Sequence, residues 1–311
     1  MPGRVEGTKL RIGTRGSPLA LWQAHEVQAR LAAAHGWSPE SIEIVVIKTS
    51  GDMIQDRALA QAGGKGLFTK EIDAALLERS VQIAVHSAKD MPTRFPEGIV
   101  IAGYLPRADV RDALISAKAR SIAELPRGAV VGTASLRRQA LVKRLRPDIA
   151  TTLLRGNVET RLGRAERGEI DATLLAVAGL KRLGQDHRAA GFLPIEDFPP
   201  AIGQGAVAVT AMADDAATLA AVAAIADRPT GVALEAERAF LTVLDGSCRT
   251  PIAGLAVLEG ETLRFSGLVL SEDGAQSFSA ERRGSAGDAA AMGEDAGRDI
   301  LARAPAGLLA H

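Results

Sequence analysis

The chain has 311 residues, a length of roughly two domains at about 150 residues each. Lys plus Arg and Asp plus Glu both number 37, so the formal net charge is zero and a general nucleic-acid or membrane-surface binder is not expected. Apolar residues at 47% and charged residues at 24% exclude wholesale disorder, and a single cysteine excludes an intrachain disulfide framework and any multi-thiolate metal site.

The first nine residues, Met1 to Lys9, are polar and lack the apolar core of a signal peptide, and no apolar run approaches the ~18 residues of a membrane span, so a cytoplasmic chain is expected. Leu10–Thr14 reads as a strand. Ser17-Pro18 opens a helix, with Ser at the cap and Pro at the first helical position, and Leu21, Ala24, Val27 and Leu31 recur at helical spacing. Ile42–Ile47 has the texture of a buried strand. Thr69 is expected to cap a helix through Leu77. Val81–His86 and Ile99–Tyr104 read as strands, and this alternation predicts an α/β unit with a largely parallel sheet. The pattern recurs: strands at 113–116, 129–133, 150–154 and 172–176, helices at 136–145, 158–167 and 177–183. A strand at 206–213 and an alanine-rich helix at 216–226 follow. Asp227-Arg228-Pro229-Thr230-Gly231 reads as a linker, after which the texture changes to a helix (232–244), a loop around Cys248, three β-type runs and a last helix at 288–302, a small α+β domain.

The zero net charge hides an asymmetry. Residues 107–188 carry 17 basic and 9 acidic groups, a net of +8, whereas residues 189–311 carry 8 basic and 17 acidic, a net of −9. The basic residues are 29 Arg and only 8 Lys, and the planar guanidinium fork suits carboxylates and phosphates. A basic middle third suggests an anionic ligand. Its sharpest candidate is Thr133-Ala134-Ser135-Leu136-Arg137-Arg138, which sets hydroxyls, helix N-terminal amides and two guanidiniums at a strand-to-helix turn; Arg155-Gly156-Asn157 and Arg161 repeat the theme. Several Arg-bearing strand ends argue for a ligand with several carboxylates, and a phosphate stays open. His86-Ser87-Ala88-Lys89-Asp90 follows a strand, where ligands of open α/β sheets bind; an acid there serves as general acid or as counter-charge to a cation, or simply pairs with Lys89 in a polar turn. Gly63-Gly64-Lys65-Gly66-Leu67-Phe68 is an anion cradle or a lid, without the full P-loop pattern. Cys248, in a Gly/Ser loop before Arg249, is either a small buried hydrophobe or a reactive thiol.

Taken in order, RIGTRGSPLA at 11–20, GGKGLFTKE at 63–71, AVHSAKDMPT at 84–93, GTASLRRQ at 132–139, LRGNVETRL at 154–162, AVAGLKRLG at 176–184, IGQGA at 202–206 and the Cys248 loop closely resemble the hydroxymethylbilane synthase (porphobilinogen deaminase) family, from about Leu10 to Pro251. The resemblance implies two α/β domains like type II periplasmic binding proteins, residues 8–106 plus 206–227 and residues 107–205, and a smaller C-terminal α+β domain, residues 228–311. It implies head-to-tail joining of four porphobilinogens with loss of four ammonias, on a dipyrromethane cofactor held by a thioether to Cys248, in a monomer that takes a small-molecule substrate, with no metal, nucleic acid or membrane. Each pyrrole carries an acetate and a propionate, so two cofactor rings and four added rings need a cleft dense in Arg. Loss of ammonia is pushed by the pyrrole nitrogen and leaves an azafulvene cation, for which one carboxylate can supply the proton and the opposing charge.

Carried over by motif, Asp90 is the catalytic acid with Lys89 beside it. Arg15, Ser17, Lys65 and Ser87 face the cofactor from the first domain and Gln23 and Phe68 face substrate. Thr133, Ser135, Arg137, Arg138, Arg155, Gly156 and Arg161 bind cofactor carboxylates from the second, with Arg182 and Gln204 as substrate contacts. Two positions depart from many relatives: Gln61 where Lys is common, and Ser247 in place of a glycine before the cysteine. The competing reading is a two-lobed anion or small-molecule binding protein of the same fold; a cysteine hydrolase would need a histidine near Cys248, and only His311 follows residue 187.

Overall fold

The computed structural model describes residues 10–53, 68–244, 251–305 and 308. They divide into two compact units: the described residues within Met1–Met53, Gly66–Arg107 and Ala206–Gly231, and those within Ala108–Gly205 and Val232–His311.

In the first unit, β1 (Leu10–Thr14), β2 (Ile42–Val46), β3 (Ile83–Ser87), β4 (Ile99–Tyr104) and a strand from much later in the chain, Val207–Met212, make one sheet. β1 runs parallel to β2 and β3, whereas Val207–Met212 lies antiparallel between β3 and β4. β2 is an edge strand rather than a buried one, with Val46 53% exposed, because only β1 flanks it. Helix α1 (Pro18–His35) starts where the sequence places it: Ser17 Oγ accepts from Ala20 N at 3.3 Å, Pro18 opens the helix, and Gly36 closes it in the left-handed region at φ 64°. Its buried stripe, Ala20, Ala24, Val27 and Leu31, packs on Leu10, Ile12, Ile83 and Val207. After the short α2 (Ser50–Met53) comes α3 (Lys70–Leu77), which Thr69 precedes without a side-chain cap bond.

The second unit repeats the arrangement. Strands β5 (Asp112–Ile115), β6 (Val130–Gly132), β7 (Ala150–Thr152), β8 (Ala172–Ala176) and β9 (Gly191–Phe192) form a sheet in the order β7-β6-β8-β5-β9. β6 is parallel to β7 and β8, and β5 is antiparallel to both its neighbours. With Val207–Met212 named β10, the first sheet reads β2-β1-β3-β10-β4, the same pattern. In each sheet the reversed fourth strand is the one that follows a chain crossing, the topology of type II periplasmic-binding-protein-like folds. Helices α4 (Leu136–Leu145), α5 (Val158–Glu166) and α6 (Val177–Arg182) cover this sheet, and α7 (Ala216–Ala223) belongs to the first.

The expected linker is instead the start of α8 (Arg228–Val243). Asp227 Oδ2 accepts from Thr230 N at 2.9 Å and from its hydroxyl at 2.6 Å, so Asp-Arg-Pro-Thr is a cap followed by an early-turn proline. The second unit ends in a three-stranded antiparallel sheet, β11 (Ile252–Glu259), β12 (Thr262–Leu270) and β13 (Ser277–Ser285), followed by α9 (Ala289–Arg303). Phe240 of α8 meets Phe265 of β12 edge to face at 5.0 Å between centroids. The β12–β13 turn rests on α4: Gly274, at φ 71°, lies so close that a Cβ there would sit 2.3 Å from the Ala140 carbonyl oxygen.

Candidate functional site

The candidate residues of both sheets collect where parallel strands end, the edge at which open α/β sheets bind ligands. In the first unit β1 runs out into Arg15-Gly16-Ser17, and β3 into a single 3-10 turn, Ala88–Asp90. β1 and β3 are parallel neighbours, paired at Ile12 with Ile83 and Gly13 with Ala84, so the two ends stand side by side. Buried Gln23, one turn into α1, donates from Nε2 to Ser87 Oγ at 2.9 Å. The Arg15 guanidinium lies 4.1 Å from the centre of the Phe68 ring. Arg15, Ser17, Gln23, Phe68, Ser87 and Asp90 line one cavity of about 60 Å³. Asp90 is exposed and Lys89 half-buried.

His86 lies in the wall of this cavity, 7% exposed, with Nε2 3.2 Å from Thr210 Oγ1. β10 shifts register between Val209 and Thr210, an irregularity of the kind that re-aims a side chain. Burial, and then the Arg15 charge, push the His86 imidazole down to about 4, so it is neutral at physiological pH. Sequence reasoning did not single His86 out for this site; its one signal is its position next to Ser87 at the end of β3.

In the second unit, Thr133 N donates to Thr152 O at 2.9 Å, which holds the ends of β6 and β7 abreast. Ser135 caps α4, its Oγ accepting from Arg138 N at 3.4 Å. Arg137 and Arg138 turn inward and share the carboxylate of Asp112, which is fully buried: Arg137 Nη2 donates to Oδ2 at 2.7 Å and Arg138 Nη2 to Oδ1 at 2.6 Å. Their Nη1 groups donate to Pro199 O and Leu174 O. Burial alone would raise the Asp112 carboxyl, but the two guanidiniums hold it well below the usual carboxylate range. Asp112 escaped the sequence reading because nothing in Arg111-Asp112-Ala113 distinguishes a hub from a surface acid.

This network also corrects one expectation. Gln204, expected at substrate, is fully buried and donates from Nε2 to Val110 O at 2.8 Å and to Asp112 Oδ1 at 3.1 Å, so in this structure it braces the carboxylate from inside. Arg161 Nε donates to Gly156 O at 2.9 Å, beside Arg155 in the β7–α5 turn, where Gly156 adopts φ 116°. Arg182 Nη2 donates to Gly205 O at 2.7 Å. Lys65 and Cys248, with the departures at Gln61 and Ser247, lie outside the described residues.

Two features fit a ligand bearing carboxylates. The Arg137–Arg138 pair sets two buried cations against one carboxylate, which leaves a positive charge in excess. The Nε–H groups of both are buried and have no acceptor.

Residues 10–220 match the family described as porphobilinogen deaminase, dipyromethane cofactor binding domain, and residues 232–302 match porphobilinogen deaminase, C-terminal domain. The porphobilinogen deaminase of Nitrobacter hamburgensis is 57% identical over 293 residues, which cover 94% of this chain and 93% of the relative. That of Paracoccus denitrificans is 55% identical over 297 residues, 96% and 95% of the two chains. Among solved structures, immunogenic lipoprotein A from Vibrio vulnificus aligns at a TM-score of 0.42 and 12% identity, over 71% of this chain and 96% of that one.

Proposed function

Because this chain belongs to the porphobilinogen deaminase family, we propose that Asp90 is the group that moves protons in its reaction and that the inward-facing arginines of the second unit hold carboxylates. The enzyme is a transferase, a hydroxymethylbilane synthase: it joins four porphobilinogens head to tail, releases four ammonias and yields linear hydroxymethylbilane for tetrapyrrole synthesis on a dipyrromethane cofactor.

Exposed Asp90, at a polar cavity that ends two parallel strands, is the observation that carries the reading. Its carboxyl delivers a proton to the substrate's amine; the C–N bond breaks, and ammonia leaves with the electron pair. The same group, now a carboxylate, faces the cation left on the substrate ring. Lys89 and Ser87 flank it, and Arg15 supplies a fixed cation for a substrate carboxylate.

Arg137 and Arg138 would hold cofactor carboxylates through the charge and donors that Asp112 leaves unmatched, with Thr133, Ser135, Arg155 and Arg161 beside them and Arg182 taking a carboxylate of the growing chain. When bound, the cofactor supplies the pyrrole carbon to which the first substrate is joined. Its attachment through Cys248, by a thioether, is part of the proposal. So is a three-domain division at 8–106 plus 206–227, 107–205 and 228–311, in a cytoplasmic monomer.

Intact mass of the purified protein, read beside an Ehrlich aldehyde test and a Cys248→Ala control, tests the attachment. An excess of two porphobilinogen units less two ammonias, absent in the control, supports it. A bare mass that porphobilinogen fails to raise overturns it and favours a binding protein.

A further inference from the structure

We propose that the cavity bounded by His86, Ser87 and Gln23 is the receiving site for the leaving amine, a small polar pocket that takes ammonia as Asp90 releases it. The inference rests on the reading of Asp90 as proton donor and deepens it.

Size is the first argument. A water needs ≳ 10–15 Å³ of this kind of space, so about 60 Å³ holds a few water-sized molecules, whereas whole-ligand sites run to roughly 300 Å³ or more. A pyrrole with two acid arms does not enter; an amine nitrogen does. Polarity is the second. Ser87 Oγ and Gln23 Oε1 are hydrogen-bond acceptors in the wall, Ser87 Oγ is also a donor, and Asp90 belongs to the same lining. Charge is the third. Arg15 is the permanent cation of this lining, and its guanidinium lies over the face of Phe68. His86 adds no second one, because burial and Arg15 keep its ring neutral. A charged imidazole there would oppose both the substrate's amine as it gains a proton and the cation left on the ring. Thr210 fixes that ring from β10 at the register shift.

The step balances. The proton passes from Asp90 to the amine nitrogen, the C–N bond breaks, nitrogen keeps the electron pair and moves into the pocket as ammonia. The substrate carbon retains the positive charge until the next pyrrole carbon attacks it.

The test uses resting holoenzyme with 15N-labelled histidine, titrated at mildly alkaline pH with ammonium chloride and, separately, trimethylammonium chloride at matched ionic strength. The proposal expects a saturable shift of the His86 imidazole resonances with ammonium, none with trimethylammonium, and at least a ten-fold weaker response in Ser87→Ala. Equal shifts from both salts mean a general salt effect and overturn it, as does the absence of any shift with ammonium. Porphobilinogen consumption by the same preparation separates the two levels: an inactive wild type fails the functional reading, whereas an active wild type without the selective shift fails the pocket alone.

Discussion

The two α/β sheets share one strand order, yet the ends of their parallel strands are built in opposite ways. In the first unit the acid, Asp90, is left exposed beside a polar cavity whose histidine is neutral. In the second the acid, Asp112, is fully buried beneath two guanidiniums and an amide. A carboxylate in contact with water can exchange protons at low cost. One locked between two arginines cannot, and acts as a fixed counter-charge that orients them. The same position in the same topology therefore suits proton transfer in one unit and anion binding in the other.

The largest expected effect falls on the exposed acid. Asp90→Ala should lower turnover by ~10²–10⁴-fold with the melting temperature unchanged, since the carboxylate carries no packing; porphobilinogen consumption measures it. Retained activity would end the contrast between the two acids. Asp112→Asn should do the reverse and act on the fold, destabilising the second unit by about 3–5 kcal/mol in urea unfolding, because it leaves two buried guanidiniums without their counter-charge.

Acid separates the units further. His86 has its folded value pushed down to about 4 from 6.5, so as pH falls the unfolded chain takes up its proton first. Its contribution is complete above 6.5 and is lost between 6.5 and 4, roughly 3 kcal/mol at about 1.4 kcal/mol per pH unit. His86→Gln should flatten unfolding free energy across that window. Asp112 is also depressed, so its contribution is complete above the unfolded value of about 3.9 and disappears only below it. Acid titration followed by a probe in each unit should show the first weakening well before the second. The smallest effect is at a helix end: Asp227→Ala, which removes the α8 cap, should cost about 1 kcal/mol of thermal stability without altering KM.

Much of this was legible from residues. The Ser17-Pro18 start of α1, the Ser135 start of α4 and the turn that presents Asp90 depend on interactions within a few positions, and sequence contains such interactions directly. Asp227-Arg228-Pro229-Thr230-Gly231 was misread because the same residues serve loops and helix starts, and the hydrogen bonds from Thr230 decide between them. Gln204 sits in a motif that points to the site, but its amide is turned to Asp112, 92 positions away.

By itself the sequence determined the order of helices and strands, the family, the acid at Asp90 and the concentration of arginine in the middle third, because each is written in local pattern or in composition. Tertiary structure alone decided which residues are buried together: His86 with Thr210, 124 positions apart, and Asp112 with Arg137 and Arg138. Desolvation and Coulomb interaction depend on spatial neighbours, and these neighbours are set by strand pairing. The neutral imidazole and the locked carboxylate therefore emerge only when the sheets are assembled.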